Sequence, residues 1–230
     1  MTLDTDRAQA LKYMTVSRET VAHFDAYVDL LQRWQKVKNL VAPSTLGQIW
    51  TRHIADSAQL LPYLGSARTI VDLGSGAGFP GLVIAIANIG KPGFHVHLVE
   101  ANGRKASFLR EVARVTDAPA TVHALRIEDF TAKWQGKADL VTARALASLS
   151  ELLELSAELL KTGAGALFLK GQDVGVELTQ ATKYWNIKTE LIPSLTDPGG
   201  QIVSITAASR RNEDSLNQGS FRSEAKGRIP

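Results

Sequence analysis

The chain has no cysteine and only two methionines among its 230 residues. Disulfide cross-links and cysteine-ligated zinc are therefore excluded, and nothing in the composition points to secretion. No run approaches the roughly 18 consecutive apolar residues that a membrane-spanning helix needs. The stretch from Met1 to Arg7 lacks the apolar segment of a signal peptide. A strong charge of either sign is also missing. The net charge of +3 is compatible with a nucleic-acid partner but does not require one. No internal repeat is visible. What remains is an ordinary globular balance, 44% hydrophobic and 21% charged, enough for one sizeable core. The expectation is a cytoplasmic protein, monomeric, with one large domain or one domain and an extension.

Residues 1–66 read as helices. Val21, Phe24, Val28, Leu31 and Trp34 fall on one helical face. A second amphipathic stretch runs from Leu46 to Leu61, with Leu46, Ile49, Trp50, His53 and Leu60 or Leu61 inward, and Asn39 and Pro43 in the break between the two. From residue 67 the pattern changes. Short apolar runs at 68–73, 95–100, 121–125, 138–142, 166–170, 187–192 and 202–206 read as strands. Helical stretches follow at about 79–88, 104–115 and 149–160. The last opens on Ser148 and Glu151, the spacing of a capping box, and stops before Gly163. Such alternation predicts an α/β domain over 67–208, with a mostly parallel seven-stranded sheet and helices on both faces. Residues 209–230 have few apolar side chains and no periodicity, and read as a disordered tail.

The most informative segment is Val71-Asp-Leu-Gly-Ser-Gly-Ala-Gly-Phe-Pro-Gly81. It follows a strand and opens a helix, so its glycines can turn sharply and bring bare backbone against a ligand at a helix N-terminus. Pro80 suits a first helical turn. Two readings compete. Gly76, Gly78 and Gly81 satisfy G-x-G-x-x-G, the pattern of dinucleotide-binding dehydrogenases. Read from the acid, Asp72-x-Gly74-x-Gly76-x-Gly78 is the pattern of S-adenosylmethionine (SAM) methyltransferases. A carboxylate ending the first strand suits the ammonium and sulfonium of SAM and would repel a pyrophosphate, so Asp72 favours SAM. Glu100, ending the second strand about twenty residues on, can accept ribose hydroxyls from either ligand. Its plainer reading is a solvated strand-end glutamate.

Four segments, taken with their order, resemble the bacterial small-subunit ribosomal RNA guanine-N7 methyltransferases, the GidB family. They are Asn39-Leu40, Arg52-His-Ile-Ala-Asp-Ser57, the glycine loop, and Ala143-Arg-Ala-Leu-Ala-Ser-Leu149 with Leu169-Lys-Gly171. The resemblance implies a Rossmann-like class I fold, SAM as methyl donor, and a guanine in the 530 loop of 16S rRNA as acceptor, on naked rRNA or the small ribosomal subunit. It implies that Gly74, Phe79, Ile127, Glu128 and Arg144 contact the cofactor. The chain departs from the family pattern before its last strand, where Thr196-Asp-Pro-Gly-Gly-Gln201 replaces a charged segment.

Guanine N7 is a lone-pair nucleophile without a proton, so its methylation needs no general base. Consistently, the candidate site shows no Ser-His-Asp set, no carboxylate pair and no metal-ligand cluster, and no metal is expected. The work left to the protein is positioning and electrostatics. Arg144 and Lys170 fall at the C-terminal ends of strands four and five, where open α/β sheets bind ligands. They are the candidate catalytic residues, Arg144 between cofactor and base and Lys170 toward RNA. Asn39, Arg52 and His53 are candidates for the roof of the substrate pocket; a buried structural histidine is the plainer reading of His53. The basic group Arg104, Lys105, Arg110, Arg114 and Arg126 could meet phosphates or form a solvated helix face. A class I methyltransferase of another substrate, an NAD-dependent oxidoreductase and a catalytically silent RNA-binding protein are the alternatives.

Overall fold

The computed structural model describes residues 2–37 and 39–211. Of the expected tail, residues 212–230 lie outside the described residues. Among the described residues, no helix is long and apolar enough to cross a membrane.

The N-terminal segment begins with α1 (Leu3–Ala10) and α2 (Arg18–Gln35), capped by the side chains of Thr2 and Ser17. The apolar stripe of α2 buries Phe24, Tyr27, Val28, Leu30 and Leu31. At its end Gln35 holds the reversing chain: its Oε1 accepts from the backbone of Leu40 (2.8 Å) and Val41 (3.1 Å). The amphipathic stretch expected at 46–61 is not one helix. A 3-10 segment (Pro43–Gln48) leads into a π-helix (Trp50–Ala55) and one α turn, α3 (Asp56–Ala58). The physical reason is long-range. Fully buried Asp6 of α1 accepts from Trp50 N (2.8 Å), Thr51 N (3.2 Å) and Thr51 Oγ1 (2.5 Å), removing these donors from the α pattern. Single π turns recur at functional sites, and this one carries Arg52 and His53.

The sheet has seven strands: β1 (Thr69–Leu73), β2 (His95–Val99), β3 (Ala120–His123), β4 (Leu140–Arg144), β5 (Gly165–Lys170), β6 (Trp185–Pro193) and β7 (Gln201–Arg210). Their order is β3-β2-β1-β4-β5-β7-β6. The first five run parallel; β7 lies antiparallel between β5 and β6. β6 and β7 extend beyond their apolar runs because their hairpin ladder continues to Trp185↔Arg210, held by backbone bonds that no hydropathy pattern records.

Between the parallel strands run α4 (Gly81–Ala87), α5 (Gly103–Thr116), α6 (Ile127–Lys133) and α7 (Leu149–Lys161); α8 (Val174–Ala181) follows β5. Neither α6 nor α8 is predicted by periodicity, since each is too short to bury more than one or two positions: Phe130 in α6, Val174 and Ala181 in α8. The capping box of α7 is present as predicted. Side chains alternate across each strand. Ile70 joins a core of α2, α4, α5 and the π-helix, and Val71 joins a second core under α6, α7 and α8. The strand order reverses between β1 and β4. This is the switch point at which open α/β sheets leave a crevice beyond the strand ends.

Candidate active site

The loop after β1 forms one lip of that crevice. Gly74, Gly76 and Gly78 all have positive φ. At Gly78 (φ +102) bareness is also steric, since an added Cβ would come within 2.5 Å of Leu82 and 2.6 Å of the Tyr27 hydroxyl. At Gly76 an added Cβ would meet only Gly74 O, at 3.8 Å, so it would project into open space where a ligand could lie. Ser75 N donates to Val99 O (3.0 Å), and Gly76 N donates to Glu100 Oε2 (2.8 Å), which ties the loop to the end of β2. Below it lies Asp72, fully buried. Its Oδ1 accepts from Thr142 Oγ1 (2.7 Å), while Oδ2 has no hydrogen-bond partner among the described residues. Burial pushes its carboxyl up to about 6, against the opposing pull of the nearby Thr142 and Ser75 hydroxyls, the Gly81 N–H and the Arg144 cation.

Two cavities open at this edge of the sheet. The larger, about 810 Å³, is lined by the glycine loop, Glu100, Ile127, Glu128 and the turn after β4, with Leu40 and Val41 of the N-terminal segment. The smaller, about 320 Å³, lies between the π-helix, the ends of β4 and β5 and the β6–β7 turn. They share His53, Arg144 and Ala145.

That shared wall is tightly built. The Tyr27, Phe79 and His53 rings stack, with centroids 5.3 and 4.9 Å apart, and Tyr27 donates to Ala77 O. The Arg144 guanidinium lies 5.0 Å over Phe79. Its Nη1 donates to Arg52 O (2.8 Å) and Asp56 Oδ2 (3.1 Å), and its Nη2 to His53 Nδ1 (2.8 Å). Guanidinium only donates, so Nδ1 carries the lone pair and the imidazole proton sits on Nε2, which donates to Thr45 Oγ1 (2.9 Å). Burial, then the Arg144 and Arg52 cations, lower His53 to about 3. The imidazole is thus neutral at physiological pH, with both nitrogens engaged. Asp56 balances the Arg144 charge; each side chain is 17% exposed.

Among the residues singled out by sequence, Gly74, Gly76, Phe79, Glu100, Ile127, Glu128, Arg144 and His53 line the larger cavity. Arg52, His53, Arg144 and Lys170 line the smaller. Asp72, beneath the loop, and Gly78, within it, line neither. Asn39 is exposed and also lines neither; its neighbours Leu40 and Val41 do. Lys170 is 10% exposed, with Nζ held by Ala147 O and Glu177 Oε2 (each 2.7 Å), so it fixes the turn after β4 as it faces the cavity. Of the basic group, Lys105 and Arg126 reach the larger cavity, and Arg114 pairs with Glu111. His95 and His97 meet His123 on the sheet edge, His97 Nδ1 lying 3.0 Å from His123 Nε2. Among the described residues, no group of three or more histidines and acids is placed to hold a metal ion. Tyr27, Thr45, Asp56 and Asp197 have no assignment by sequence. Tyr27 could have been found as the i+3 neighbour of Phe24 on the α2 stripe; the others meet the site only through long-range packing.

The strand order, the switch-point crevice and the glycine loop over an acid define a Rossmann-like class I methyltransferase fold. Solved structures of that class share it at low identity. A putative O-methyltransferase from Klebsiella pneumoniae aligns over 89% of this chain and 96% of its own (TM-score 0.57, 12% identical). An O-methyltransferase from Bacillus cereus, in complex with SAH, aligns over 79% and 90% (TM-score 0.54, 13% identical). The family model described as rRNA small subunit methyltransferase G (GidB) matches residues 20–203. Proteins named ribosomal RNA small subunit methyltransferase G from Bradyrhizobium sp. (strain ORS 278) and Methylorubrum populi are 54% and 52% identical. The alignments cover 91% and 90% of this chain and 95% and 99% of theirs. The chain belongs to this family.

Proposed function

We propose that this protein transfers the methyl group of SAM to N7 of a guanine in the 530 loop of 16S rRNA, acting as a cytoplasmic monomer on the rRNA or the small subunit without a metal ion. The acceptor nucleotide follows from the family resemblance. The observation that carries the reading is the pair of cavities meeting at Arg144, His53 and Ala145. The larger has the size of a cofactor site and takes SAM; the smaller takes the base. The helical segment 1–66 and the methyltransferase domain 67–208 both contribute walls.

The residues present fit the cofactor. Gly74 and Gly76 offer bare backbone, Glu100 has spare lone pairs for ribose hydroxyls, and Ile127 with Glu128 supplies an apolar contact and an acceptor for adenine. Asp72 acts from below the loop as a buried negative charge. When bound, SAM would supply an electrophilic methyl carbon, open to in-line attack by the N7 lone pair with S-adenosylhomocysteine as the leaving group. A proton donor aimed at N7 would cancel that lone pair. His53 offers none, since its one N–H is committed to Thr45. Arg144 borders the junction of the two cavities beside methyl and base, and its pairing with Asp56 keeps a bare cation away from a reaction that moves positive charge onto the purine. Arg52, His53, Lys170 and the nearby Asn39 face the RNA.

Calorimetric titration with S-adenosylhomocysteine and, separately, with NAD tests the cofactor assignment. Tritiated methyl transfer to small subunits from a strain lacking the enzyme tests the acceptor. Saturable binding of S-adenosylhomocysteine but not NAD, with label at one N7 of the 530 loop, is expected; binding of NAD alone defeats the reading.

A further inference from the structure

Methyl transfer gives no task to the polar end of the smaller cavity. There Arg52 Nη1 donates to Asp197 Oδ2 (3.1 Å), with the two side chains 45% and 39% exposed. Both line the cavity. Asp197 Oδ1 accepts from Gly199 N (3.1 Å). A carboxylate oxygen has two lone pairs, so each oxygen of Asp197 keeps one free, and among the described residues Arg52 uses one of its five donors on a side chain.

The turn that carries Asp197 is rigid. Ser194 N donates to Gly200 O (3.0 Å), Gly200 N to Asp197 O (2.9 Å), and Ser194 Oγ accepts from Thr196 N and Asp197 N (each 3.2 Å). It is also bolted to the N-terminal segment: Thr196 Oγ1 donates to Asp56 Oδ1 (2.8 Å) and Leu195 N to Gln59 Oε1 (2.9 Å). The same Asp56 that neutralises Arg144 therefore fixes Asp197. A donor and an acceptor are held side by side before any ligand arrives, which is what preorganised recognition requires.

We propose that Arg52 and Asp197 form the guanine-selecting pair of this enzyme. The inference rests on the reading that a base enters the smaller cavity. Guanine presents O6 as acceptor beside N1–H and the N2 amine as donors; Arg52 matches the first and Asp197 the other two. Adenine reverses the pattern, placing an amine toward Arg52 and the N1 lone pair toward a carboxylate. A site built to satisfy polar groups rejects an analogue that leaves them unpaired. Grip on that edge leaves N7, on the five-membered ring, free to react.

The test uses small subunits reconstituted on ligated 16S transcripts with guanosine, inosine or adenosine at the methylated position. Inosine keeps O6 and N1–H but lacks the N2 amine. For the wild type, kcat/KM falls roughly tenfold to a hundredfold from guanosine to inosine, the range for one hydrogen bond to a charged group, and adenosine is inert. Asp197→Asn lowers kcat/KM on guanosine but brings the guanosine-to-inosine ratio close to one, while S-adenosylhomocysteine affinity stays within about twofold. Arg52→Lys, which loses the planar fork facing O6, lowers kcat/KM on guanosine and inosine by the same factor and leaves their ratio as in the wild type; a changed ratio overturns the assignment even if Asp197→Asn fails to fold. A wild type indifferent to the amine, or an Asp197→Asn enzyme losing the same factor on guanosine and inosine, overturns the assignment. Absence of methyl transfer to any guanine by a wild type that binds S-adenosylhomocysteine defeats the acceptor reading itself, and the selecting pair with it.

Discussion

Replacing Asp72 by asparagine separates stability from cofactor binding. The carboxyl is fully buried with one oxygen unpartnered, and burial moves it from 3.8 up to about 6. Its charged form is therefore disfavoured in the folded state. Between those two values the native protein binds more protons than the unfolded chain, so stability falls as pH rises through the window. The shift of about two units corresponds to about 3 kcal/mol of destabilisation at neutral pH. The Asp72→Asn side chain keeps the shape and removes the charge, but buries an amide N–H without an acceptor, at about 1–3 kcal/mol. The net change at neutral pH is small, so the informative quantity is its pH dependence. The variant's stability relative to wild type should drop by about 2 kcal/mol between about pH 7.5 and pH 4.5. His53 and His97, lowered to about 3 and about 4, titrate in the opposite sense: they stay neutral when the unfolded chain charges, so acid destabilises through them. Both proteins contain them, and they cancel in the difference. Urea unfolding at the two pH values reads the effect, and a difference independent of pH would refute a strained, buried carboxylate. Calorimetry should show roughly tenfold weaker S-adenosylhomocysteine binding at neutral pH, from loss of a buried charge beneath the ligand.

Gly78→Ala combines a φ of +102 with a Cβ 2.5 Å from Leu82. It should cost about 3 kcal/mol in urea unfolding, and a variant within about 0.5 kcal/mol of wild type would show that the loop yields easily. Among the described residues, Lys170→Met leaves the Glu177 carboxylate with only Leu149 N (2.6 Å) as a polar partner and frees Ala147 O. Loss of about 2 kcal/mol of stability and at least a roughly tenfold fall in turnover are expected, with a smaller loss of S-adenosylhomocysteine affinity because Ala147 lines the larger cavity; a folded variant with wild-type turnover would show that the clamp is idle.

The parts of the molecule legible in the sequence are those set by neighbours along the chain. Strand alternation, the capping box at Ser148 and Glu151, and a glycine loop between strand and helix depend on residues within a few positions of one another. The π-helix was illegible because the carboxylate that caps its start lies over forty residues upstream; from local pattern alone, positions 46–61 read as an ordinary amphipathic helix. Asp72 shows the same limit from another side. Its place at the end of β1 was legible, but not that β1 and β4 bury it with Thr142 below the loop and outside both cavities. Lys170 was legible as a strand-end cation facing the site; its clamp on Ala147 and Glu177 depends on α8, which is too short to leave a periodic signal.

The departure at Thr196–Gln201 acquires a meaning from this geometry. By sequence, the segment only fails to match a charged pattern before the last strand. In the fold it is the turn of the edge hairpin, and antiparallel insertion of β7 between β5 and β6 brings it back over the C-terminal sheet edge, against the π-helix. The N-terminal segment therefore does more than cover one core. It supplies Arg52, His53 and Asp56, and through Asp56 it joins Arg144, which borders both cavities, to Thr196 and Asp197 at the smaller one. A boundary near residue 66 divides the chain by pattern but not by chemistry, because the wall between the cavities exists only when both parts are present.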